Sequence, residues 1–419
     1  MIFIYNFFLI LLSIIFLPII LIAFVIQPKF RAGFFKKLGF YKFNNLDKTK
    51  RTIFIHAVSV GEVNAVEELI KKIRTLNPED NIVLSTTTKT GQEIAIKKLS
   101  HIVNEITYFP YDFYFSVNAF LKTLKPDIAI IAETEIWPMF TYMTHKANIN
   151  LYIVNGRISP HSFNGYKKIS FFVKSILNKY TKILAQTEGD AQRIISIGAS
   201  EQIVKNMGNL KFDISKNLNE EQIQNLKNEL QTQNKKILVV GSTHKGEDEI
   251  LINAFCKLHQ KDNSIKMLIA PRHPQRFEQV ENLIKQTNLT YSKRSLNGNF
   301  NDNEIIMLDT MGELAKMYSI CDVAFIGGSY VNTGGHNPLE ASIWDKPVIS
   351  GPIVFNFKDI YKFLTQNEGC VIANDENELD LVLNNLFFDE KYYQKIANNA
   401  KLIFEQNHGA IDFAIKEIF

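Results

Sequence analysis

Beyond residue 50 the chain alternates short apolar runs with stretches in which apolar side chains recur at helical spacing. Residues 52–58, Asn81–Thr86, 127–132, 151–154 and Lys182–Ala185 read as buried strands, and 63–76 and 92–99 read as helices between them. A second series follows at 237–240, 266–270, 305–308, Val323–Ile326 and 347–350, again separated by helical patterns. Strands alternating with helices predict βαβ units and a mainly parallel sheet. The expected fold class is therefore α/β, with two Rossmann-like doubly wound domains at 51–213 and 237–389. Between them, 214–236 is rich in Asn, Gln, Lys and Glu, and reads as an interdomain segment with one surface helix. The tail, 390–419, reads as helices that could cross back to the first domain. Open α/β sheets bind ligands at the carboxyl ends of their strands, so two such domains are expected to face a cleft lined by those loops.

Ahead of the first strand lies a different pattern. Residues 1–26 contain no charge and are mostly Ile, Leu, Phe and Val, with Pro18 inside the run. About 20 apolar residues cross a bilayer core as a helix, and lipid-embedded helices tolerate a proline kink. A cleaved signal peptide starts with basic residues. Here Lys29, Arg31, Lys36 and Lys37 come after the run instead. The expectation is an uncleaved single-pass transmembrane helix with everything after it in the cytoplasm. In the linker at 27–50 these charges interleave with Phe30, Phe34, Phe35 and Phe40, a mixture suited to the lipid headgroup layer.

Composition narrows the partners. The chain of 419 residues carries a formal net charge of +4 and lacks the dense basic stripes of a nucleic-acid binder. Its three cysteines, Cys256, Cys321 and Cys370, are odd in number and far apart, which indicates neither a disulfide framework nor a zinc site. No Asp-x-Asp triplet occurs, so metal-dependent transfer from a sugar nucleotide is disfavoured. The absence of His-Glu-x-x-His, Gly-x-Ser-x-Gly and Gly-x-Gly-x-x-Gly argues against zinc hydrolases, serine hydrolases and dinucleotide oxidoreductases.

The candidate chemistry lies where strands give way to helices. In His56-Ala57-Val58-Ser59-Val60-Gly61-Glu62 a carboxylate opens a helix. There Glu62 could act as a general base toward a hydroxyl or simply cap its own helix, and the residues alone do not choose. Ala132-Glu133-Thr134-Glu135-Ile136-Trp137-Pro138 puts Glu133 at a strand tip. Its Trp137 could be a sugar platform, although a packed core tryptophan is more common. Asn155-Gly156-Arg157 adds a fixed positive charge. Gly208-Asn209-Leu210-Lys211-Phe212-Asp213 offers Lys211 as a point charge for a departing phosphate, against the plainer reading of a surface lysine near a hinge.

The second half is richer in anion-binding signals. Gly241-Ser242-Thr243-His244, Ala270-Pro271-Arg272-His273-Pro274, Asp309-Thr310-Met311-Gly312-Glu313-Leu314 and Gly334-Gly335-His336-Asn337-Pro338-Leu339-Glu340 each punctuate a strand end with glycine or proline. Free amides at helix starts and the forked Arg272 suit a phosphate, and Glu340 suits a ribose. Four such ends in one domain point to a nucleotide site.

Taken in order, the stretches HAVSVGE, AETEIWP, NGRIS, GNLKFD, GSTHKGE, APRHP, DTMGEL and GGHNPLEAS resemble the 3-deoxy-D-manno-octulosonic acid (Kdo) transferases, a family of the two-domain GT-B fold. They run from His56 to Ser342, and the apolar amino-terminal run fits as well. The resemblance implies inverting transfer of Kdo from CMP-Kdo to a tetraacylated lipid A precursor at the bacterial inner membrane, with no further cofactor and no metal. It implies Glu62 as general base, with Glu133 and Lys211 stabilising the transition state. The nucleotide would be held by Pro271 and Arg272, by Gly312, Glu313 and Leu314, and by Asn337, Pro338, Leu339 and Glu340. Asn209 stands where other members carry serine. Two competing readings are another nucleotide-sugar enzyme of this fold, such as an epimerase or a uridine-nucleotide transferase, and a non-catalytic nucleotide-binding membrane scaffold.

Overall fold

The computed structural model describes residues 1–27, 31–214, 216 and 218–419. The Lys29 and Phe30 of the basic and aromatic linker lie outside the described residues. The chain divides into two units, 1–213 with 407–419 and 214–406.

Unit 1 is built on seven parallel strands: β1 (Thr52–His56), β2 (Asn81–Thr86), β3 (Glu105–Tyr108), β4 (Ile128–Ala132), β5 (Asn150–Gly156), β6 (Lys182–Ala185) and β7 (Val204–Asn206). Their order is β3-β2-β1-β4-β5-β6-β7, with the chain reversing direction across the sheet at β1 and β4. β1, β2 and β4 are buried at every position, so both faces are covered and the strands read as continuous apolar runs. One face packs under Val117, Phe120, Phe140, Ile176 and Leu177, the other under Val63, Val66, Leu69, Ile70 and Ala414. That last residue belongs to the terminal helix Ala410–Ile418, whose Glu417 pairs with Lys205 at 2.8 Å and with Lys182.

Unit 2 repeats the plan with β8 (Lys236–Thr243), β9 (Ile265–Pro271), β10 (Tyr291–Lys293), β11 (Ile305–Met307), β12 (Val323–Ile326), β13 (Val348–Ser350) and β14 (Val371–Ile372). The order is β10-β11-β9-β8-β12-β13-β14, all parallel, with its reversal at β8 and β12. Its interdomain stretch forms the helix Glu220–Leu230, started by a capping box between Asn219 and Gln222.

The apolar run at 1–26 is not one straight helix. It forms α1 (Ile2–Ile15) and α2 (Leu17–Ile26), bent by 63° at Phe16. Pro18 sits in the first turn of α2, where its missing N–H costs nothing. Among the described residues no single helix is long and apolar enough to cross a membrane, although the bent pair together has the length and composition.

Candidate active site

In unit 1 three of the four motif loops leave the carboxyl ends of the neighbouring strands β1, β4 and β5, and the fourth, at 208–213, follows β7. Glu62 lies in the first turn of the helix Val60–Leu76 and is almost wholly buried. Its carboxylate turns back onto the chain that precedes it, accepting the Val58 N–H at 2.7 Å and the Ser59 hydroxyl at 3.0 Å. The Val58 carbonyl is fixed as well, by the N–H groups of Thr87 and Thr88 at 3.2 and 3.1 Å and by the Thr88 hydroxyl at 3.2 Å. Burial pushes the Glu62 carboxyl up to about 7, assisted by the negative charges of Glu133 and Glu135 and opposed by its two donors. The side chain thus both closes the turn and carries an acid tuned to neutral pH, where a general base works best.

Glu133 follows β4 in the left-handed backbone region, at φ 56°, with its N–H donated to Val154 O at 2.8 Å. A non-glycine residue there stores strain of about 1–3 kcal/mol, which has to be held by its surroundings. Its Oε1 lies 3.6 Å from Lys211 Nζ. Lys211 sits in a single 3-10 turn, Leu210–Phe212, pinned by two asparagines. Asn209 Oδ1 accepts the Lys211 N–H at 3.0 Å, and the fully buried Asn155 Oδ1 accepts the Leu210 N–H at 3.1 Å. Lys211 is therefore no free surface lysine but part of a charged group with Glu133. Trp137 packs into the core beside Phe109, with ring centroids 5.4 Å apart. The Arg157 N–H donates to the Thr134 hydroxyl at 2.7 Å, tying the β5 loop to the β4 loop.

In unit 2 the loops after β8, β9 and β12 share one edge of the sheet. Arg272 follows β9, its N–H bonded to Thr243 O at 3.0 Å and its side chain exposed. His244 and His336 meet through their Nε2 atoms at 2.9 Å, one ring donating to the other. Burial, then the charges of His244, Arg272 and His273, hold His336 down to about 4, so this pair is neutral at pH 7. Arg272 is left as a fixed positive charge of this edge. Burial raises the Glu340 carboxyl, and Arg272 partly offsets this. Pro271 closes β9 itself. Leu314 and Tyr318 press on Gly241 of β8, where any Cβ would lie 1.8 Å from the Tyr318 hydroxyl and 3.1 Å from Leu314 Cδ2. Gly312 takes φ 83° in open space. Glu313 is occupied by Lys316 at 2.5 Å and Arg294 at 3.4 Å.

The helices expected after Gly312 and Pro338 are single turns, Leu314–Met317 and Leu339–Ser342, so their amide donors come with little helix dipole behind them. Asn337 Oδ1 accepts the Leu339 N–H at 3.1 Å and starts the second of these turns.

The sequence marks Glu247 only as the end of the GSTHKGE stretch, at the opening of a helix, whereas the structure makes it the centre of unit 2's loops. Fully buried, it accepts four backbone N–H groups: His244 at 2.9 Å, Gly328 at 2.7 Å, and Ser329 and Tyr330 at 2.8 Å each. Gly328 and Gly327 in turn accept the N–H groups of Gly335 and His336, at 2.7 and 3.2 Å. In unit 1 the sequence marks Asn155 only as the start of its motif, without its brace on Leu210, and does not single out Thr88. The available signals were polar residues at strand ends inside otherwise apolar surroundings.

Comparison with known proteins adds three findings. Residues 32–214 match the family model of 3-deoxy-D-manno-octulosonic-acid transferase (kdotransferase), and residues 220–403 match glycosyl transferases group 1. A 3-deoxy-D-manno-octulosonic acid transferase of Haemophilus influenzae is 33% identical over 389 residues, covering 92% of this chain and 90% of that protein. A bifunctional glycosyltransferase/methyltransferase of Fusobacterium nucleatum is 40% identical over 335 residues, which cover 78% of this chain but 52% of that protein, so the match spans about half its length. Among solved structures, the UDP-GlcNAc 2-epimerase of Neisseria meningitidis bound to UDP-GlcNAc covers 87% of this chain and 99% of its own, with a TM-score of 0.51 and 12% identity. That last likeness is one of fold alone.

Proposed function

This chain belongs to the 3-deoxy-D-manno-octulosonic acid (Kdo) transferase family, and we propose that it moves Kdo from CMP-Kdo to a tetraacylated lipid A precursor with inversion at the anomeric carbon. It is a glycosyltransferase. In the proposed reaction Glu62 takes the proton of the acceptor hydroxyl while that oxygen bonds to the anomeric carbon. The bond from that carbon to the CMP phosphate oxygen breaks, and CMP leaves with its electron pair. Lys211, oriented by Glu133, offsets negative charge that develops as the bond breaks. Unit 2 binds the nucleotide through Arg272 and the loops at Gly312–Leu314 and Asn337–Glu340. No metal has a role in this scheme. The chain works at the bacterial inner membrane with its two units in the cytoplasm, which suits an acceptor that is a lipid.

The observation that carries the reading is Glu62, a buried carboxyl in the first turn of the helix Val60–Leu76, pushed up to about 7. A buried carboxyl with that value can accept a proton at neutral pH and hold it long enough to complete the transfer. The test is a transfer assay with purified full-length protein, labelled CMP-Kdo and lipid A precursor in the presence of EDTA, comparing wild type with Glu62→Ala. Kdo-lipid formed by wild type and lost in the variant supports the scheme. No product from wild type that binds CMP would sink it.

A further inference from the structure

The bent apolar pair is held to unit 1 at both of its outer ends. At the start of α1, Ile2 is 8% exposed within the unit's core. The Tyr5 hydroxyl donates to Asp112 at 3.0 Å, and the Tyr114 N–H donates to Asn6 Oδ1 at 2.9 Å. At the end of α2, Arg31 Nε donates to Phe24 O at 2.8 Å, and the Phe24 ring meets Phe34 edge-on at 4.8 Å. Phe34 in turn contacts Tyr111 at 6.5 Å, and the Tyr111 N–H donates to Lys37 O at 2.8 Å. One loop, residues 111–114, therefore anchors both ends of the segment.

Between these anchors the segment is apolar and uncovered. Phe7, Phe8, Ile14, Ile15, Ile22 and Val25 are exposed, and α2 buries no residue at all. Two backbone hydrogen bonds carry the chain across the bend, the Phe16 N–H to Leu12 O and the Ile20 N–H to Phe16 O, both at 2.9 Å. Length decides how far such a segment reaches. At 1.5 Å per residue, the 14 residues of α1 extend about 21 Å and the 10 of α2 about 15 Å, against roughly 30 Å for the hydrocarbon core. A single crossing would also have to leave its start on the far face, whereas here the start is packed on the same unit as the end. Near the anchoring loop stand the exposed rings of Phe35, Phe40 and Phe115, with the exposed Lys36 next to Phe35 in the chain. Aromatic rings and lysines together suit the headgroup layer.

We propose that α1 and α2 form a re-entrant anchor that enters one leaflet of a lipid bilayer and returns, leaving both of its ends on the side of unit 1. The partner surface is a single leaflet, met by the bend at Phe16 in the acyl region and by the aromatic collar at the headgroups. This goes beyond attachment to a membrane, because it fixes the topology and makes unit 1 sit against the lipid.

The experiment uses full-length protein with Cys256→Ser, leaving the buried Cys321 and Cys370, reconstituted in phospholipid vesicles. Spin labels go on Ile4→Cys, near the start of α1, and separately on Ser13→Cys, near the bend. Vesicles whose units are cleaved by added protease define the outer side. The expected result is strong oxygen relaxation of the Ser13 label and ready relaxation of the Ile4 label by an impermeant nickel chelate added outside. An Ile4 label reached only by chelate trapped inside would overturn the proposal in favour of a single crossing. A Ser13 label relaxed as in free solution would overturn it too, since the bend would then lie outside the lipid.

Discussion

Lys211 Nζ stands 3.6 Å from Glu133 Oε1, and the contact joins two segments 78 residues apart in the chain. Both backbones are held in place, since the Lys211 turn hangs on Asn155 and Asn209 while Glu133 sits in the left-handed region. A fixed ammonium group stabilises developing charge without reorganising at the moment of reaction. Lys211→Met keeps the aliphatic stem and deletes the charge. It is expected to lower kcat by about 10²–10³-fold, the usual scale for one electrostatic donor, with little change in CMP affinity. Steady-state kinetics and CMP titration check this, and an equal loss in both would place Lys211 in ground-state nucleotide binding instead.

Glu62 carries a stability cost as well as a proposed catalytic duty. Its folded-state value of about 7 lies above the 4.5 of an exposed glutamate, so the folded protein holds this proton more tightly than the unfolded chain does. That contribution is complete below pH 4.5 and is lost as the pH rises toward 7. Glu62→Gln removes the ionisation and can still meet Val58 and Ser59. It is expected to be more stable than wild type at pH 8 by about 1–3 kcal/mol, with the difference closing near pH 5. Thermal unfolding at the two pH values decides, and a variant less stable at pH 8 would show that the two hydrogen bonds outweigh the desolvation.

The same carboxyl should set the pH–rate profile. A general base must be ionised to accept a proton, so kcat/KM is expected to climb with pH and level off above an inflection near 7, matching the raised Glu62 value. Replacing Glu133 by Gln removes one negative charge that raises Glu62, so the inflection should move to lower pH. An inflection near 4.5 in wild type would mean that Glu62 is not the titrating base.

The apolar runs in the sequence predict five strands in each unit, and these are the five central strands of each sheet. The four left unpredicted, β3, β7, β10 and β14, are the four sheet edges. The physical reason is burial. Of β3 only Thr107 is buried, of β7 only Val204, and β10 and β14 bury no residue. Short, half-wet edges carry neither a continuous apolar run nor a clean alternation. The strand-tip loops were legible for a related reason, since glycine and proline mark where a buried strand stops. What escaped were polar residues whose partners are distant in sequence. Asn155 meets Leu210 across 55 residues and Glu247 meets Gly328 across 81, and no local pattern records such pairings. The bend at Phe16 lies just before Pro18, the residue the sequence marks for a kink; what escaped is that Ile2, Tyr5 and Asn6 dock the start of α1 on unit 1.

Glu247 gives the sharpest test of whether the loops of unit 2 act as one assembly. Its Oε1 takes the N–H groups of Ser329 and Tyr330, and its Oε2 takes those of His244 and Gly328. Glutamine in its place must turn an NH2 group toward two of these donors, whichever way the amide is set. Two buried N–H groups then lose their acceptor, a penalty of about 2–5 kcal/mol. The loop from Gly327 to His336 would relax first, because Gly328 and Gly327 hold the turn that leads into Asn337–Glu340. Glu247→Gln is therefore expected to melt several degrees lower and to bind CMP at least ten-fold more weakly, while Glu62 and Lys211 in unit 1 are untouched. Calorimetry of unfolding and of CMP binding separates the two effects. A lower melting temperature with unchanged CMP affinity would make Glu247 a brace of the fold alone, and would detach the glycine loop from the nucleotide site.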